Sequence, residues 1–373
     1  MTPAPSAPWS DLLSQLIAGK DLSGQDALAA MTAIMAGDVS AVQMGAFLVA
    51  LRAKGETAQE VSAAAEAMSS AAVALELPGT HLDIVGTGGD GSGTVNISTM
   101  AAVVAAACGA SVIKHGNRAA SSASGSADVL ASLGLPLELP PAAVQSLVGE
   151  LGIGFAFAPI FHPAMRHAGS VRRELGVATV FNILGPLTNP GRPTAGLIGC
   201  ADERLAPVMA QVFADRGDHV LVVRGLDGWD EITPQASTRI WDTTRAPGQV
   251  HAQVLSPQDL GLSGISSADL TGADPDHNAQ VMLATFGLER TQPELPLVAR
   301  IDSVRAVVMA NAAAALYTYE SALGRGSGEG VVAGIQRQLP IAAAAIESGA
   351  AGELLRRWLH RSRALAEAIE FGQ

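Results

Sequence analysis

An unbroken helical block, followed by short strand-like runs alternating with helices, is the feature that most restricts what this chain can fold into. From Trp9 to about Leu77 apolar residues recur at helical spacing, with Leu12, Leu13, Leu16 and Ile17 on one face and Met44, Phe47, Leu48 and Leu51 on another. Asp38 and Ser40 suit the start of the second of these helices, because a short side-chain oxygen can accept from the free N–H groups of a first turn. Pro78-Gly79 ends the block. Beyond it, strand-like runs at 82–85, 111–113, 154–157, 196–199 and 220–223 are separated by segments of helical character. That alternation predicts an α/β fold with a mostly parallel central sheet covered by helices. Runs at 238–241 and 250–255 would add an antiparallel or edge piece, and the chain reads as helical from Asp276 almost to Gln373, broken at the glycines of 324–330.

The chain has 373 residues, 48% of them hydrophobic, enough to bury a core in two structural units. Lys and Arg number 23 against 35 Asp and Glu, a formal net charge of -12, which disfavours nonspecific attraction to nucleic acid or an anionic membrane. A phosphate site would have to be local. The first eight residues read as a loose tail, residues 1–9 (MTPAPSAPW) lack a basic region followed by an apolar stretch, and no bilayer-spanning run stands near them, so a cytoplasmic protein is expected. Cys108 and Cys200 lie in apolar segments without metal-site or redox spacing and are expected to be buried thiols.

Residues 86–94 read GTGGDGSGT, directly after the first strand-like run and before a helix that begins near Asn96 and Ser98. Glycines let the backbone approach a phosphate closely, and the free N–H groups of the following helix start point at it. Gly86, Gly88 and Gly91 match the G-x-G-x-x-G spacing of dinucleotide sites, but the next strand ends in Lys114-His115 where that fingerprint needs an acid. No lysine follows in the manner of a P-loop. Residues 114–128, KHGNRAASSASGSAD, join the cations Lys114 and Arg118 to four serines, a loop able to wrap a pyrophosphate. Asp230-Glu231, in RGLDGWDEI after the run at 220–223, would lie in a loop at the carboxyl end of the sheet, where paired carboxylates suit Mg2+.

Taken in order, GTGGD at 86–90, NIST at 96–99, KHGNRAASSASGSAD at 114–128, VRRELG at 171–176, FNILGPLTNP at 181–190 and DE at 230–231 resemble the anthranilate phosphoribosyltransferase family over nearly the whole chain. The resemblance implies a small all-helical domain, 1–77 with a returning segment at about 166–189, hinged to a larger α/β domain of 78–165 and 190–373, in a homodimer. It also implies that phosphoribosyl pyrophosphate (PRPP) is held by Gly86, Gly89, Asp90, Thr94, Asn96, Ile97, Ser98 and Thr99. The second loop would add Lys114, His115, Gly116, Asn117, Arg118, Ala119, Ala120, Ser121, Ser122 and Ser126. Ser98, Asp230 and Glu231 would ligate two Mg2+ ions. Anthranilate would meet Gly86, Asn117 and Arg172, whose planar fork suits a carboxylate. His115 would be a wall of that site, and His162 and His167 flank a run, HPAMRHAG, similar to the family's substrate entrance.

The implied reaction is displacement of pyrophosphate from ribose C1 by the anthranilate amine, which needs positioning and metal assistance rather than a protein nucleophile. Pyrimidine nucleoside phosphorylases resemble this family and share a lysine and serine phosphate loop, but KHGN with a downstream DE pair favours the transferase. A noncatalytic nucleic-acid-binding relative would need a basic face, which this acidic chain lacks. Two segments depart from the family pattern: LERTQPELPLVARIDSV at 288–304 is long, and YTYESALGRGS at 317–327 replaces a short glycine turn.

Overall fold

Four helices open the chain in the computed structural model, which describes residues 8–119, 122–294, 296–326 and 328–372. They are α1 (Trp9–Ile17), α2 (Gly24–Ala36), α3 (Ala41–Lys54) and α4 (Ala58–Ser70). Local chemistry sets their starts: Ser40 with Gln43 and Thr57 with Glu60 form reciprocal capping boxes at α3 and α4. Glu60 also accepts from the Leu22 amide and from Lys54 at 2.8 Å, so its charge is paired where it is buried.

The α/β part follows as β1 (Leu82–Gly86), α5 (Ile97–Ala107), β2 (Val112–Gly116), α6 (Ser126–Ser132), α7 (Pro141–Leu151) and β3 (Ile153–Phe157). The chain then returns to the helical layer through α8 (Ala158–Phe161), α9 (Arg166–Leu175) and α10 (Phe181–Leu187). It re-enters the sheet as β4 (Ala195–Gly199), α11 (Ala206–Arg216), β5 (His219–Gly225), β6 (Thr238–Asp242) and β7 (His251–Leu255). The seven strands lie in the order β3-β2-β1-β4-β5-β6-β7. Neighbours from β3 to β5 are parallel, and β6 and β7 are antiparallel additions at one edge. The two late strand-like runs are therefore the antiparallel piece expected of them.

Both faces of the sheet are covered, which is why runs such as VLVV at 220–223 are apolar throughout rather than alternating. Ile84, Leu197, Leu221 and Val223 point into one core with α5, α7 and the carboxyl-terminal helices. Ile198, Val220 and Val222 point to the other side, against α1 to α4, α9, α10 and α11. The carboxyl-terminal helices are α12 (Pro275–Thr285), α13 (Ile301–Ala322), α14 (Val331–Glu347) and α15 (Ala350–Glu370).

The expectation of helix from Asp276 onward needs correction at 286–294 and 296–300, whose described residues are non-helical and include Gly287, Pro293 and Pro296. This connection is anchored by buried Gln280, which donates to Thr291 Oγ1 at 2.7 Å and accepts from the Gln292 amide at 3.0 Å. The break expected at the glycines of 324–330 falls between α13 and α14, whereas Tyr317 to Ala322, the start of the segment that departs from the family pattern, belong to α13. Cys200 is buried, but Cys108 is only half-buried, at the end of α5. The amino-terminal tail and Ala120 and Ser121 lie outside the described residues.

Candidate functional site

Strand order decides where a ligand can sit. From β1 the chain moves to β2 on one side, whereas β4 lies on the other side of β1 and leads on to β5. Connections diverge between β1 and β4, and the crevice at their carboxyl ends is the topological switch point of the sheet. Gly86 ends β1 and Gly199 ends β4, paired in register. Asp230, in the loop after β5, lies across both. A Cβ at Gly86 would overlap the Asp230 carboxylate, and one at Gly199 its carbonyl oxygen. Glycine at these positions is what lets the acidic loop reach the crevice.

The glycine loop then closes on the same carboxylate. The Gly88 amide donates to Asp230 Oδ2 at 2.7 Å, and Gly88, Gly89, Gly91 and Gly93 all have positive φ. Asp90 turns back to accept from the Ser92 amide at 3.1 Å. Residues 93–95 are held from behind, since the Gly272 amide donates to Gly93 O and the Val95 amide to Leu270 O. At the start of α5 the Ser98 amide donates to Glu231 Oε1 at 3.2 Å. Asn96 is pinned by Asn278 at 2.9 Å and by its own donation to Ser124 O. Asp230, Glu231, Ser98 and Asn311 line a cavity of about 10 Å3, the lower limit for one water.

This corner is electrostatically loaded. Desolvation first, then the charge of Asp90, pushes Asp230 up to about 7. Glu231 is also pushed well up, by desolvation and by Asp230 and Asp90. Lys114 is the nearest compensation, but it points beneath the loop: its ammonium donates to Ile84 O at 2.6 Å and reaches Ser98 Oγ at 3.4 Å. Burial lowers Lys114 to about 8 against the pull of Asp83 and Glu231. Asp83, itself raised by burial to about 6, accepts from Asn189 at 2.8 Å and from the His115 amide.

The second loop forms the rim. Asp128 organises it by accepting from the Ala119 and Gly125 amides and pairing with Arg118 at 2.9 Å. Asn117, Arg118 and Ser122 are exposed there, and Ser126 faces the Asn117 carbonyl at 3.5 Å. Thr94, Ile97, Thr99 and Gly116 complete the strand-to-helix and strand-to-loop corners, with Ile97 and Thr99 buried.

Arg172 stands apart from these loops. On α9 it lies over the Phe181 ring at 5.3 Å, half-buried, with no carboxylate in ion-pair reach among the described residues. Loss of solvent lowers its pKa from the ordinary guanidinium value. Phe181 begins α10, and Gly185 of the same helix faces His115 Nδ1 at 3.0 Å, which links Arg172 to the loop through one helix. The His115 and His162 rings lie 5.0 Å apart, and burial drives them to about 3 and about 4, so both imidazoles stay neutral. His167 packs instead against Gly37 in the helical layer.

Sequence reasoning missed Asp83, Asn189, Asp128, Asn278 and Asn311. Asn311 carried a visible signal, a lone amide in the apolar run AVVMANAAAAL of α13. It holds the acidic loop by accepting from the Ile232 amide and donating to the Ile232 carbonyl.

A helical bundle packed on a sheet with an acidic, glycine-lined switch point matches the two domain types of one glycosyl transferase family. The glycosyl transferase family's helical bundle domain matches residues 10–72, and its a/b domain matches residues 79–351. The anthranilate phosphoribosyltransferase of Saccharopolyspora erythraea is 49% identical, covering 97% of this chain and 98% of that protein. A crystal structure of anthranilate phosphoribosyltransferase from Thermus thermophilus superposes with a TM-score of 0.81 at 39% identity, over 95% of this chain and 99% of that one. The Saccharomyces cerevisiae enzyme, in complex with PRPP and Mg, superposes with a TM-score of 0.81 at 27% identity over 95% and 98%. The chain belongs to the anthranilate phosphoribosyltransferase family.

Proposed function

We propose that this chain transfers the phosphoribosyl group of PRPP to the amine of anthranilate, giving N-(5-phosphoribosyl)anthranilate and pyrophosphate. The observation that carries the proposal is the meeting of Asp230 with Gly86, Gly88 and Gly199 at the switch point, where a glycine cradle for phosphate and a carboxylate pair share one corner. In this proposal Gly86, Gly89, Asp90, Thr94, residues 96–99, the 114–122 loop and Ser126 hold PRPP. Lys114 serves from below through Ser98, while Asn117, Arg118 and Ser122 act from the rim.

Mg2+ fits the residues present. Desolvation makes the Asp230 and Glu231 charges costly, with Asp90 repelling both and Asp230 repelling Glu231, and a divalent cation would offset them. Among the described residues no three His, Cys, Asp or Glu side chains form a cage of their own. Mg2+ is characteristically held by one or two carboxylates with substrate phosphates. Ser98, Asp230 and Glu231 would hold two ions per chain, and the metal supplies charge stabilisation for departing pyrophosphate.

The chain's own contribution is positioning. Arg172, whose guanidinium carbon lies 5.3 Å from the Phe181 ring centre, would meet the anthranilate carboxylate with its planar fork, and Asn117 and Gly86 would place the amine near ribose C1. The neutral His115 and His162 rings wall the site without taking a proton, in keeping with a weakly basic aromatic amine that needs no strong base. Residues 1–77 with 166–189 would form the helical unit, in which α9 packs on α2 and α3 and α10 on α4. The protein would act as a cytoplasmic homodimer. Among the described residues no helix is long and apolar enough to cross a membrane.

The test is the loss of anthranilate fluorescence with PRPP and Mg2+, run beside a pyrimidine nucleoside with inorganic phosphate. Consumption of anthranilate only when all three components are present supports the transferase. Cleavage of the nucleoside with anthranilate untouched would assign a phosphorylase.

A further inference from the structure

A cavity of about 530 Å3 lies towards the opposite end of the strands from the switch point. Its floor is formed by Asp83, Gly196 and Val220, early residues of β1, β4 and β5, and its walls by α4, the end of α10, the 189–194 return and the end of α11. Asp83 and Gly86 are three residues apart, about 10 Å along a strand, so this cavity is separate from the Asp230 corner. Its volume is in the range of small-molecule sites.

The lining has a definite chemistry. Pro186, Leu187 and Phe213 are apolar, Arg192 and Arg216 are cations, and Glu66 and Asp218 join Asp83 as carboxylates. Arg192 is the one non-glycine residue with positive φ among the described residues, at 46°, and its exposed guanidinium makes no hydrogen bond or ion pair among them. A strained residue holding an unused cation at a cavity mouth is a mark of a binding position. Arg216 donates to Leu187 O at 2.9 Å, which leaves other guanidinium donors free to serve a ligand. Loss of solvent lowers Arg216, with Asp218 and Glu66 opposing and Arg192 adding to the shift, so the four charges share one neighbourhood. Burial pushes Asp218 up to about 6.

We propose that this cavity binds a zwitterionic α-amino acid with an apolar side chain. Its carboxylate meets Arg192 and Arg216, its ammonium meets Glu66 and Asp218, and its side chain packs on Pro186, Leu187 and Phe213. A simple anion would face the three carboxylates, and a simple cation would face the two arginines. Only a ligand with one charge of each sign matches both sets. Its occupancy would reinforce the packing that α4 already makes on α10 and α11.

The experiment is calorimetry on the full chain with L-phenylalanine as probe, in the absence of PRPP and anthranilate, so the result does not depend on the transferase proposal. Phenylalaninamide lacks the carboxylate and 3-phenylpropionate lacks the ammonium, and each should bind at least tenfold more weakly. Arg192→Gly removes the cation and relieves its backbone strain, and Arg216→Ala removes the second cation. Each should weaken L-phenylalanine at least tenfold with unchanged circular dichroism, while Arg172→Ala leaves it as in the wild type. No heat with L-phenylalanine, equal binding of the one-charge analogues, wild-type binding by Arg192→Gly, or loss of binding in Arg172→Ala would overturn the proposal.

Discussion

Replacing Asp230 by Asn should make the metal-free protein more stable at pH 8 and abolish its gain in stability from Mg2+. Desolvation, then Asp90, lifts Asp230 from 3.8 to about 7, so the folded state holds that proton more tightly than the unfolded chain does. A displacement of that size has a ceiling of about 4 kcal/mol. Its sign is fixed: the stabilising contribution of the protonated acid is complete below about pH 4 and is lost as pH rises through about 7. Asn keeps an oxygen for the Gly88 amide and has no charge to desolvate. Because the side chain is half-buried, solvent reduces the expected gain to about 1–3 kcal/mol at pH 8. Urea melts of both proteins in chelator at pH 4 and pH 8, repeated with Mg2+, measure it. Wild-type and variant stabilities with the same pH dependence, or a full Mg2+ response in the variant, would refute the reasoning.

Arg172→Ala should raise the anthranilate KM by the equivalent of about 2–5 kcal/mol, with Arg172→Lys recovering only part, and an anthranilate KM within twofold of wild type would make Arg172 structural. Gly199→Ala should place a Cβ on the Asp230 carbonyl and displace the acidic loop, lowering turnover about a hundredfold while circular dichroism is unchanged; near wild-type turnover would contradict that geometry. Asn189→Ala strips a donor from Asp83 and Ile113 and an acceptor from the Gly191 amide, and should cost about 2–4 kcal/mol in a urea melt. A loss under about 0.5 kcal/mol would show that water replaces the amide.

What could be read from the sequence was what short-range physics controls. The apolar run at 220–223 and the glycines after Val85 mark a parallel strand and a strand-to-helix turn wherever they occur. The 286–300 connection escaped because Pro293 and Pro296 stand inside a region of helical composition, and the buried Gln280 that anchors it gives no local sign. The candidate site was legible as motifs but not as geometry. Nothing between Gly86 and Asp230 indicates that strand order brings them into contact, and that order is settled by packing of both sheet faces. Lys114 looked like a loop cation, yet it lies beneath the loop, and Arg118 is already paired with Asp128. Asp83 stood in the strand-like run at 82–85 and Asn189 in the motif at 181–190 with no role for either, until the return segment placed them together.

Counting pyrophosphate released against anthranilate consumed tests the central claim most directly, because the proposed roles of the glycine loop and the carboxylate pair require direct displacement at ribose C1. With PRPP and Mg2+ present, one pyrophosphate should appear for each anthranilate lost, and almost none when anthranilate is omitted. Pyrophosphate release that proceeds equally without anthranilate, or anthranilate that persists under all conditions, would contradict the account.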